Sequence, residues 1–229
     1  MSGTPRRALL VIDVQKEYVT GNVRIEYPPV QESLRRIGEA MDAAREIGIP
    51  VVVVRHNAPA ISPLFAQGSE NWELHAVVAS RPQGHRVEKT LPSAFVGTGL
   101  DAWLRQHEVD TLAVAGFMTH NCCASTIIDA MHRGYAVEFL SDAAGSVPYR
   151  NEAGIASAEA IHRTLLVVLH SRFAAVTPTS GWIHAINSGI PRMGSNIHAS
   201  HQAALKLRAM HARRSRLDQL ARRLVHWAA

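Results

Sequence analysis

Short apolar runs alternate with longer amphipathic segments along the chain. The run Ala-Leu-Leu-Val-Ile-Asp-Val at residues 8–14 is almost continuously apolar, which is typical of a strand buried on both faces. Similar runs predict five further strands, at residues 49–54, 86–88, 111–115, 135–140 and 173–176.

The segments between these runs carry apolar residues at helical spacing. Residues 30–47 predict an amphipathic helix that ends at Gly48. Further helices are predicted at residues 100–107, from the N-cap Thr119 onward, and at 151–169. Residues 58–84 instead form a long polar excursion with a short helical stretch, which is typical of a lid or binding loop.

Strands that alternate with helices predict a mostly parallel sheet with helices on both faces, a three-layer α/β/α fold. The glycines form neither GxGxxG nor GxxxxGK[ST], so a phosphate-binding loop is not expected.

The composition and the cysteine content indicate where in the cell the protein is expected. With 47% hydrophobic and 19% charged residues the chain has an ordinary globular composition, and no apolar run is long enough to span a bilayer. The two cysteines are neighbours, and a disulfide between neighbours is strained. A reducing, cytoplasmic location without membrane association is therefore predicted.

The basic charge belongs to the C-terminal end. Residues 190–229 carry eight Lys or Arg and one acid, a net charge of +7, so the total of +5 leaves −2 for residues 1–189. We therefore predict a domain over 1–189 and a basic extension over 190–229, helical at 203–227. This extension could pack on a neighbouring subunit, bind nucleic acid or a membrane surface, or have no selected role.

Polar side chains stand at the ends of several predicted strands, the edge where open α/β sheets place their sites. Asp13, Lys89 and Cys122 are the reactive members of this set. A thiol in the first turn of a helix faces unpaired N–H groups, which favour thiolate. Cys123 shares a helix face with Ile127, so Cys122 is the candidate nucleophile, although both cysteines could be small buried hydrophobes.

Three motifs carry a resemblance to a known family. They are LLVIDVQKEY with Asp13, VEKTLPSAF with Lys89, and VAGFMTHNCCASTIIDAMHRGY with Cys122. In this order they resemble the isochorismatase-like cysteine hydrolases over roughly residues 8–182. The resemblance implies a six-stranded parallel sheet of order 3-2-1-4-5-6 and an Asp13–Lys89–Cys122 triad. Because true isochorismatases generally lack the nucleophilic cysteine, Cys122 indicates the amidase branch of the family.

The implied reaction is hydrolysis of a carbon–nitrogen bond in a small amide, lactam or carbamoyl compound. Cys122 would form a thioester, Asp13 would move the proton, and Lys89 would stabilise the negative charges. The backbone N–H groups of Met118 and Cys122 would form the oxyanion hole. The resemblance also implies a cis peptide between Phe117 and Met118.

Further residues are candidates for substrate binding, each with a structural alternative. They are Tyr18, His56, Trp72, Phe117 and His120. Aromatic residues are more often core than pocket, and Asp13 with Lys89 could be a buried structural ion pair. Since His56 lacks the Asp-x-His arrangement of the nicotinamidases, we expect neither a metal nor another cofactor.

Two other functions stay open from the sequence. One is an ester or vinyl-ether hydrolase, and the other is an inactive α/β scaffold whose basic tail binds a protein or nucleic acid. The resemblance implies a dimer or tetramer acting on a small-molecule amide, with nucleic acid not expected as a partner.

Overall fold

The computed structural model describes residues 4–208 and 210. Its centre is a sheet of six strands that are all parallel, in the order β3-β2-β1-β4-β5-β8. These strands are β1 (Arg7–Ile12), β2 (Val51–His56), β3 (His85–Lys89), β4 (Thr111–Phe117), β5 (Ala136–Gly145) and β8 (Ala175–Thr177). The predicted α/β fold and its strand order are confirmed, with β8 as the sixth strand of the sheet.

Helices cover both faces of this sheet. They are α1 (Val30–Glu46), α2 (Ala76–Ala79), α3 (Leu100–Gln106), α4 (Ala124–His132), α5 (Ala158–His170) and α6 (Thr179–Asn187). Side chains alternate along β1, so that Leu9 and Val11 pack with α1 and α6 while Leu10 and Ile12 pack with α3 and α4. Two apolar layers therefore hold the strands, which explains why β1 is apolar at nearly every position.

A hairpin replaces the first part of the helix predicted at 151–169. It consists of β6 (Tyr149–Asn151) and β7 (Gly154–Ala156), which pair antiparallel. Gly154 has φ +139°, which glycine adopts readily, and the Asn151 side chain accepts a hydrogen bond from the Ala153 N–H. Helix α5 begins only after Ser157, whose hydroxyl caps it.

The chain divides into two compact units, one ending at Gly194 and one beginning at Ser195. A buried ion pair between Arg7 and Glu138 fastens residues 190–192 to the first unit. Arg7 donates to the Ile190 carbonyl oxygen at 2.6 Å, and the Arg192 N–H donates to Glu138 at 3.2 Å.

The second unit is helical at 197–208, and most of the helix predicted at 203–227 lies outside the described residues. Within the described part of the chain, no helix is long and apolar enough to cross a membrane. The division into a domain over 1–189 and a basic extension stays a prediction.

Candidate active site

The parallel sheet brings together the three side chains that the motifs single out. Asp13 follows β1, Lys89 ends β3, and Cys122 lies in a turn after β4. Lys89 Nζ is 2.7 Å from Asp13 Oδ2 and 3.3 Å from Cys122 Sγ. Their exposed fractions are 0% for Asp13, 2% for Lys89 and 4% for Cys122, so the three polar groups form one buried cluster.

The backbone holds Asp13 at the end of its strand in an uncommon conformation. Its φ is +51°, in the left-handed region that Asp tolerates better than most residues. The Asp13 N–H donates to the Val54 carbonyl at 2.9 Å, and the Asp13 carbonyl accepts from Gln15 at 2.8 Å. Neither carboxylate oxygen has a hydrogen-bond donor in good geometry among the described residues, so Asp13 meets Lys89 as an ion pair only.

Cys122 lies in a π-helical turn, Thr119–Cys123, which precedes α4. The predicted N-cap role of Thr119 is wrong, because the residue before the turn is Met118 and the Thr119 side chain caps nothing. Thr119 Oγ1 is 2.8 Å from His162 Nδ1, and His162 Nε2 is 3.1 Å from the Ser141 carbonyl oxygen. A carbonyl only accepts, so Nε2 carries the proton and the Thr119 hydroxyl donates to Nδ1.

The two cysteines differ in their polar contacts more than in their burial. Both are buried in the apolar layer with Ile127 and Ala130, and Cys122 in addition contacts the ammonium of Lys89. The glycine before the turn is also required by packing. Gly116 has φ +115°, and a Cβ built there would lie 2.0 Å from the Ile12 carbonyl oxygen, so only glycine lets β4 pass β1 at this height.

Electrostatics set the resting protonation state of this cluster. Burial raises the pKa of the Cys122 thiol, the Asp13 carboxylate raises it further, and the Lys89 ammonium opposes both only in part. Burial lowers the pKa of Lys89, but the Asp13 carboxylate is the strongest opposing influence, and the pKa of Lys89 is raised. The thiolate expected from the helix end is therefore not the resting state, and the thiol stays neutral beside an Asp13–Lys89 ion pair.

The Phe117–Met118 peptide is cis, as the resemblance implied. Phe117 is completely buried, and its ring centre is 5.6 Å from that of Tyr18, which is only 2% exposed. Burial, the largest cause, and the nearby Asp13 carboxylate raise the pKa of Tyr18, which is consistent with a phenol close to the cluster. Tyr18 and Phe117 thus form an aromatic wall beside the triad.

The predicted histidines lie on two sides of the cluster. His56 Nδ1 is 3.3 Å from Lys89 Nζ, and burial followed by the Lys89 charge lowers the pKa of His56. His120, two residues before Cys122, has its Nδ1 3.0 Å from Ser146 Oγ. The described residues contain no group of three His, Cys, Asp or Glu that could hold a metal, and the absence of a metal stays a prediction.

Trp72 lies at the rim, where its side chain has other partners. Trp72 Nε1 donates to Asn57 Oδ1 at 2.6 Å, and the Arg55 guanidinium stands 3.7 Å from the ring centre. The geometry brings Tyr18, His56, Phe117 and His120 close to the triad and leaves Trp72 as a support for the loop around it.

Comparison with known proteins places this arrangement in a family. The family model of the isochorismatase domain matches residues 7–180. The chain belongs to the isochorismatase family. It therefore joins a family of hydrolases, and the resemblance seen in the three motifs is confirmed.

The family relatives include solved structures and enzymes of named activity. A candidate isochorismatase from Burkholderia xenovorans LB400 is 62% identical, with a TM-score of 0.89 over 90% of this chain and 99% of that one. The uncharacterized isochorismatase family protein YddQ of Bacillus subtilis is 28% identical over 77% of this chain and 98% of its own. The ureidoacrylate amidohydrolase RutB of Methylobacterium radiotolerans is 28% identical over 80% of each chain.

Sequence reasoning missed residues that hold this isochorismatase-family site in shape. The Gln15 amide donates to the carbonyls of His56 and Trp72 and accepts from the His56 N–H at 3.0 Å. Gln15 belongs to the first motif, LLVIDVQKEY, so the sequence drew attention to this residue but did not indicate what it does. Ser146 and Tyr149, by contrast, lie beyond the third motif and carry no local signal.

Proposed function

We propose that the protein is a cysteine-dependent hydrolase that cleaves a carbon–nitrogen bond of a small amide, lactam or carbamoyl compound. The observation that carries this proposal is the buried contact of Lys89 Nζ with both Asp13 Oδ2 and Cys122 Sγ. A nucleophile, a proton acceptor and a cation within one contact of each other are what acyl transfer through a thioester requires.

The first half of the reaction forms the thioester. Cys122 passes its proton to Asp13, and the sulfur attacks the amide carbonyl carbon. This transfer moves one negative charge from oxygen to sulfur beside Lys89 and leaves the net charge of the cluster unchanged, which suits a buried site. The tetrahedral intermediate collapses when Asp13 gives the proton to the nitrogen, the C–N bond breaks, and the amine leaves.

The second half is hydrolysis of the thioester. A water molecule gives one proton to Asp13 and adds its oxygen to the carbonyl carbon, and the C–S bond then breaks. The departing sulfur recovers the proton from Asp13, and the carboxylic acid is released. The backbone N–H groups of Met118 and Cys122 would stabilise the oxyanion of both tetrahedral intermediates.

The polar atoms of Asp13 favour an amide over an ester. Asp13 Oδ2 is paired with Lys89 at 2.7 Å, whereas Asp13 Oδ1 is buried and has no partner in the described part of the chain. Once the carboxylate has accepted the thiol proton, its remaining acceptor capacity can take an N–H of the scissile amide, which an ester lacks. The amidohydrolase relative RutB supports the same bond class. Tyr18, His56, Phe117 and His120 would surround the substrate, with Trp72 at the rim.

A matched pair of substrates tests this proposal. For each of a small set of carboxylic acids, the primary amide and the methyl ester are offered as substrates. Ammonia release measures hydrolysis of the amide, and acid release measures hydrolysis of the ester. We expect turnover of at least one amide, with loss of more than about 1,000-fold in Cys122→Ser and little change in the matched variant Cys123→Ser. Full amidase activity in Cys122→Ser, or hydrolysis of esters alone, would overturn the proposal.

A further inference from the structure

We propose that His120, oriented by Ser146 and Tyr149, binds an uncharged polar group of the substrate other than the scissile amide. The inference rests on the proposed function, because the amide is taken to lie at Cys122. It narrows the substrate class to small amides that carry a second, neutral hydrogen-bonding group.

The first observation is an unpartnered nitrogen beside the nucleophile. His120 Nε2 is buried and has no hydrogen-bond partner among the described residues. Within that part of the chain, the only other buried side-chain atoms of this kind are the two carboxylate oxygens of Asp13. Asp13 Oδ2 is ion-paired with Lys89, so Asp13 Oδ1 and His120 Nε2 are the atoms without any partner. Because unpaired buried polar atoms are disfavoured, a substrate that bonds to both gains at two points.

The second observation is that the imidazole is held in place from its other nitrogen. His120 Nδ1 is 3.0 Å from the hydroxyl oxygen of Ser146, which is fully buried. The Ser146 N–H donates to the Tyr27 carbonyl at 2.8 Å, and the Ser146 carbonyl accepts from Glu26 at 3.1 Å. A side chain positioned from a fixed backbone in this way presents Nε2 in one direction, as a binding group needs.

Tyr149 supplies an aromatic wall on the same side. Its ring packs edge-on against His120, with ring centres 4.9 Å apart and planes at 86°. Burial is the main cause that raises the pKa of Tyr149, with a smaller contribution from nearby Cys122 when that thiol is ionised. Tyr149 is 45% exposed and stands on the β6–β7 hairpin, so part of its ring is open to solvent beside His120.

The charge of the recognised group follows from the surroundings of His120. Burial lowers the pKa of His120, so the imidazole is neutral at pH 7. The Ser146 hydroxyl can donate to Nδ1 or accept from it, so Nε2 can act as donor or acceptor. A hydroxyl group on the substrate fits both cases, and the partly exposed Tyr149 ring offers an aromatic surface beside His120 for a substrate ring.

The test compares two ligands that differ only in this hydroxyl. The dissociation constants of 3-hydroxybenzamide and benzamide are measured by titration calorimetry on the Cys122→Ser protein, in which the proposed chemistry is blocked. Loss of one neutral hydrogen bond corresponds to roughly 2- to 12-fold in affinity. We expect 3-hydroxybenzamide to bind tighter by a factor in that range.

Variants assign the preference to His120. When combined with Cys122→Ser, the substitution His120→Phe should remove the preference for 3-hydroxybenzamide over benzamide. Ser146→Ala should reduce this preference without placing a larger side chain in the site. The matched control His132→Phe, at an exposed histidine of α4, should leave it intact. Equal affinity for the two ligands, no measurable binding of either, or an unchanged preference in both His120→Phe and Ser146→Ala would overturn the inference.

Binding and turnover separate this inference from the function on which it rests. A preference for 3-hydroxybenzamide that depends on His120 would support the inference even if the wild-type protein released no ammonia. The absence of ammonia release across the amide panel would instead count against the proposed function. Rapid turnover of benzamide-type amides without any His120-dependent preference would support the proposed function and overturn the inference about His120.

Discussion

Asp13, Lys89 and Cys122 form a buried cluster in which the positions of two charges decide where the proton resides. The carboxylate and the ammonium are 2.7 Å apart, and ionising the thiol would add a second negative charge to the same buried volume. The thiol is therefore neutral at rest, and in the proposed reaction thiolate arises by transfer of its proton to Asp13 rather than to solvent.

Replacing Asp13 by Asn should separate thiol reactivity from catalysis. Since the Asp13 carboxylate raises the pKa of Cys122, its removal lowers that pKa and leaves Lys89 to stabilise the thiolate. Each unit by which the thiol pKa falls increases the thiolate fraction about tenfold at a pH below that pKa. We expect iodoacetamide to alkylate Cys122 about tenfold faster in Asp13→Asn than in wild type at pH 7, while amide hydrolysis is lost.

Peptide mapping distinguishes Cys122 from Cys123 in that experiment. The control is Asp142→Asn, whose carboxylate bonds to Thr179 and should not change the alkylation rate. Slower alkylation in Asp13→Asn, or alkylation chiefly at Cys123, would contradict the charge arrangement described here.

The motifs allowed the residues of this cluster to be predicted, but not its protonation. Asp13, Lys89 and Cys122 stand in the three motifs D-x-Q, K-x-x-x-S-A-F and G-x-x-T-x-x-C, and the resemblance of these motifs to the family singled the residues out. The direction in which the pKa of the Cys122 thiol shifts depends on burial and on contacts between side chains that are 33 to 109 positions apart in the sequence. No local sequence pattern reveals such contacts.

The π-helical turn Thr119–Cys123 is the element that positions Cys122, the proposed nucleophile. It is tied to α5 and β5 by one hydrogen-bonded chain, from the Thr119 hydroxyl through His162 to the Ser141 carbonyl. Thr119 and His162 are both buried, so each group depends on the other to satisfy its hydrogen bond.

Thr119→Val should misplace the nucleophile by removing the donor while preserving side-chain shape. Because small displacements of reacting groups are costly, kcat for amide hydrolysis should fall roughly 10- to 100-fold with a smaller change in KM. Thr119→Ser keeps the hydroxyl and should retain most of the activity. Equal kcat in Thr119→Val and Thr119→Ser would show that the hydroxyl has no positioning role.

The same histidine should make folding sensitive to acid. Burial lowers the pKa of His162 from about 6.5 to about 4, so between these values the unfolded chain binds a proton that the folded protein excludes. Stability contributed by neutral His162 is therefore present above pH 6.5 and is lost as pH falls toward 4, by on the order of 2 kcal/mol.

Urea unfolding at pH 7 and pH 4.5 measures this loss. The difference in unfolding free energy between the two pH values should be smaller in His162→Gln than in wild type. The exposed His132→Gln control should match wild type. An identical pH dependence in His162→Gln and wild type would remove His162 from the explanation.

Strands and helices with a regular spacing of apolar residues were predicted better than elements that depend on one turn or one capping residue. The strands and α1 follow their apolar patterns, whereas the hairpin at 149–156 depends on the turn at Gly154 and on the late start of α5 at Ala158. The apolar spacing of α5 continues N-terminally past its true start. Periodicity alone therefore extended the helix into the hairpin, and the Ser157 cap was the overlooked signal.

At the scale of the molecule, the parallel order of strands gathers the site at one edge. All residues of the candidate site lie in the compact unit that ends at Gly194. Residues 190–192 also belong to it, through bonds to the buried Arg7–Glu138 pair. Sequence composition alone placed the start of the basic extension at residue 190, because these contacts leave no mark in the local pattern.

Two truncations test this division of the chain. A protein ending at Gly194 should fold and keep amide turnover within about twofold of the full chain, since it retains every contact of the site. A protein ending at Gly189 loses partners of Arg7 and Glu138 and should be less stable by about 1–3 kcal/mol in urea unfolding. Loss of turnover in the longer truncation would assign the tail a part in the reaction.

The most direct test of the central claim is detection of the acyl group on Cys122. The wild-type protein is mixed with an amide that it hydrolyses, quenched in acid within one turnover, and mapped by peptide mass spectrometry. We predict a mass increase equal to the acyl group on the peptide at Cys122, removable by hydroxylamine and absent in Cys122→Ser. Amide hydrolysis at the wild-type rate in Cys122→Ser, or an acyl group found on Cys123, would contradict the account.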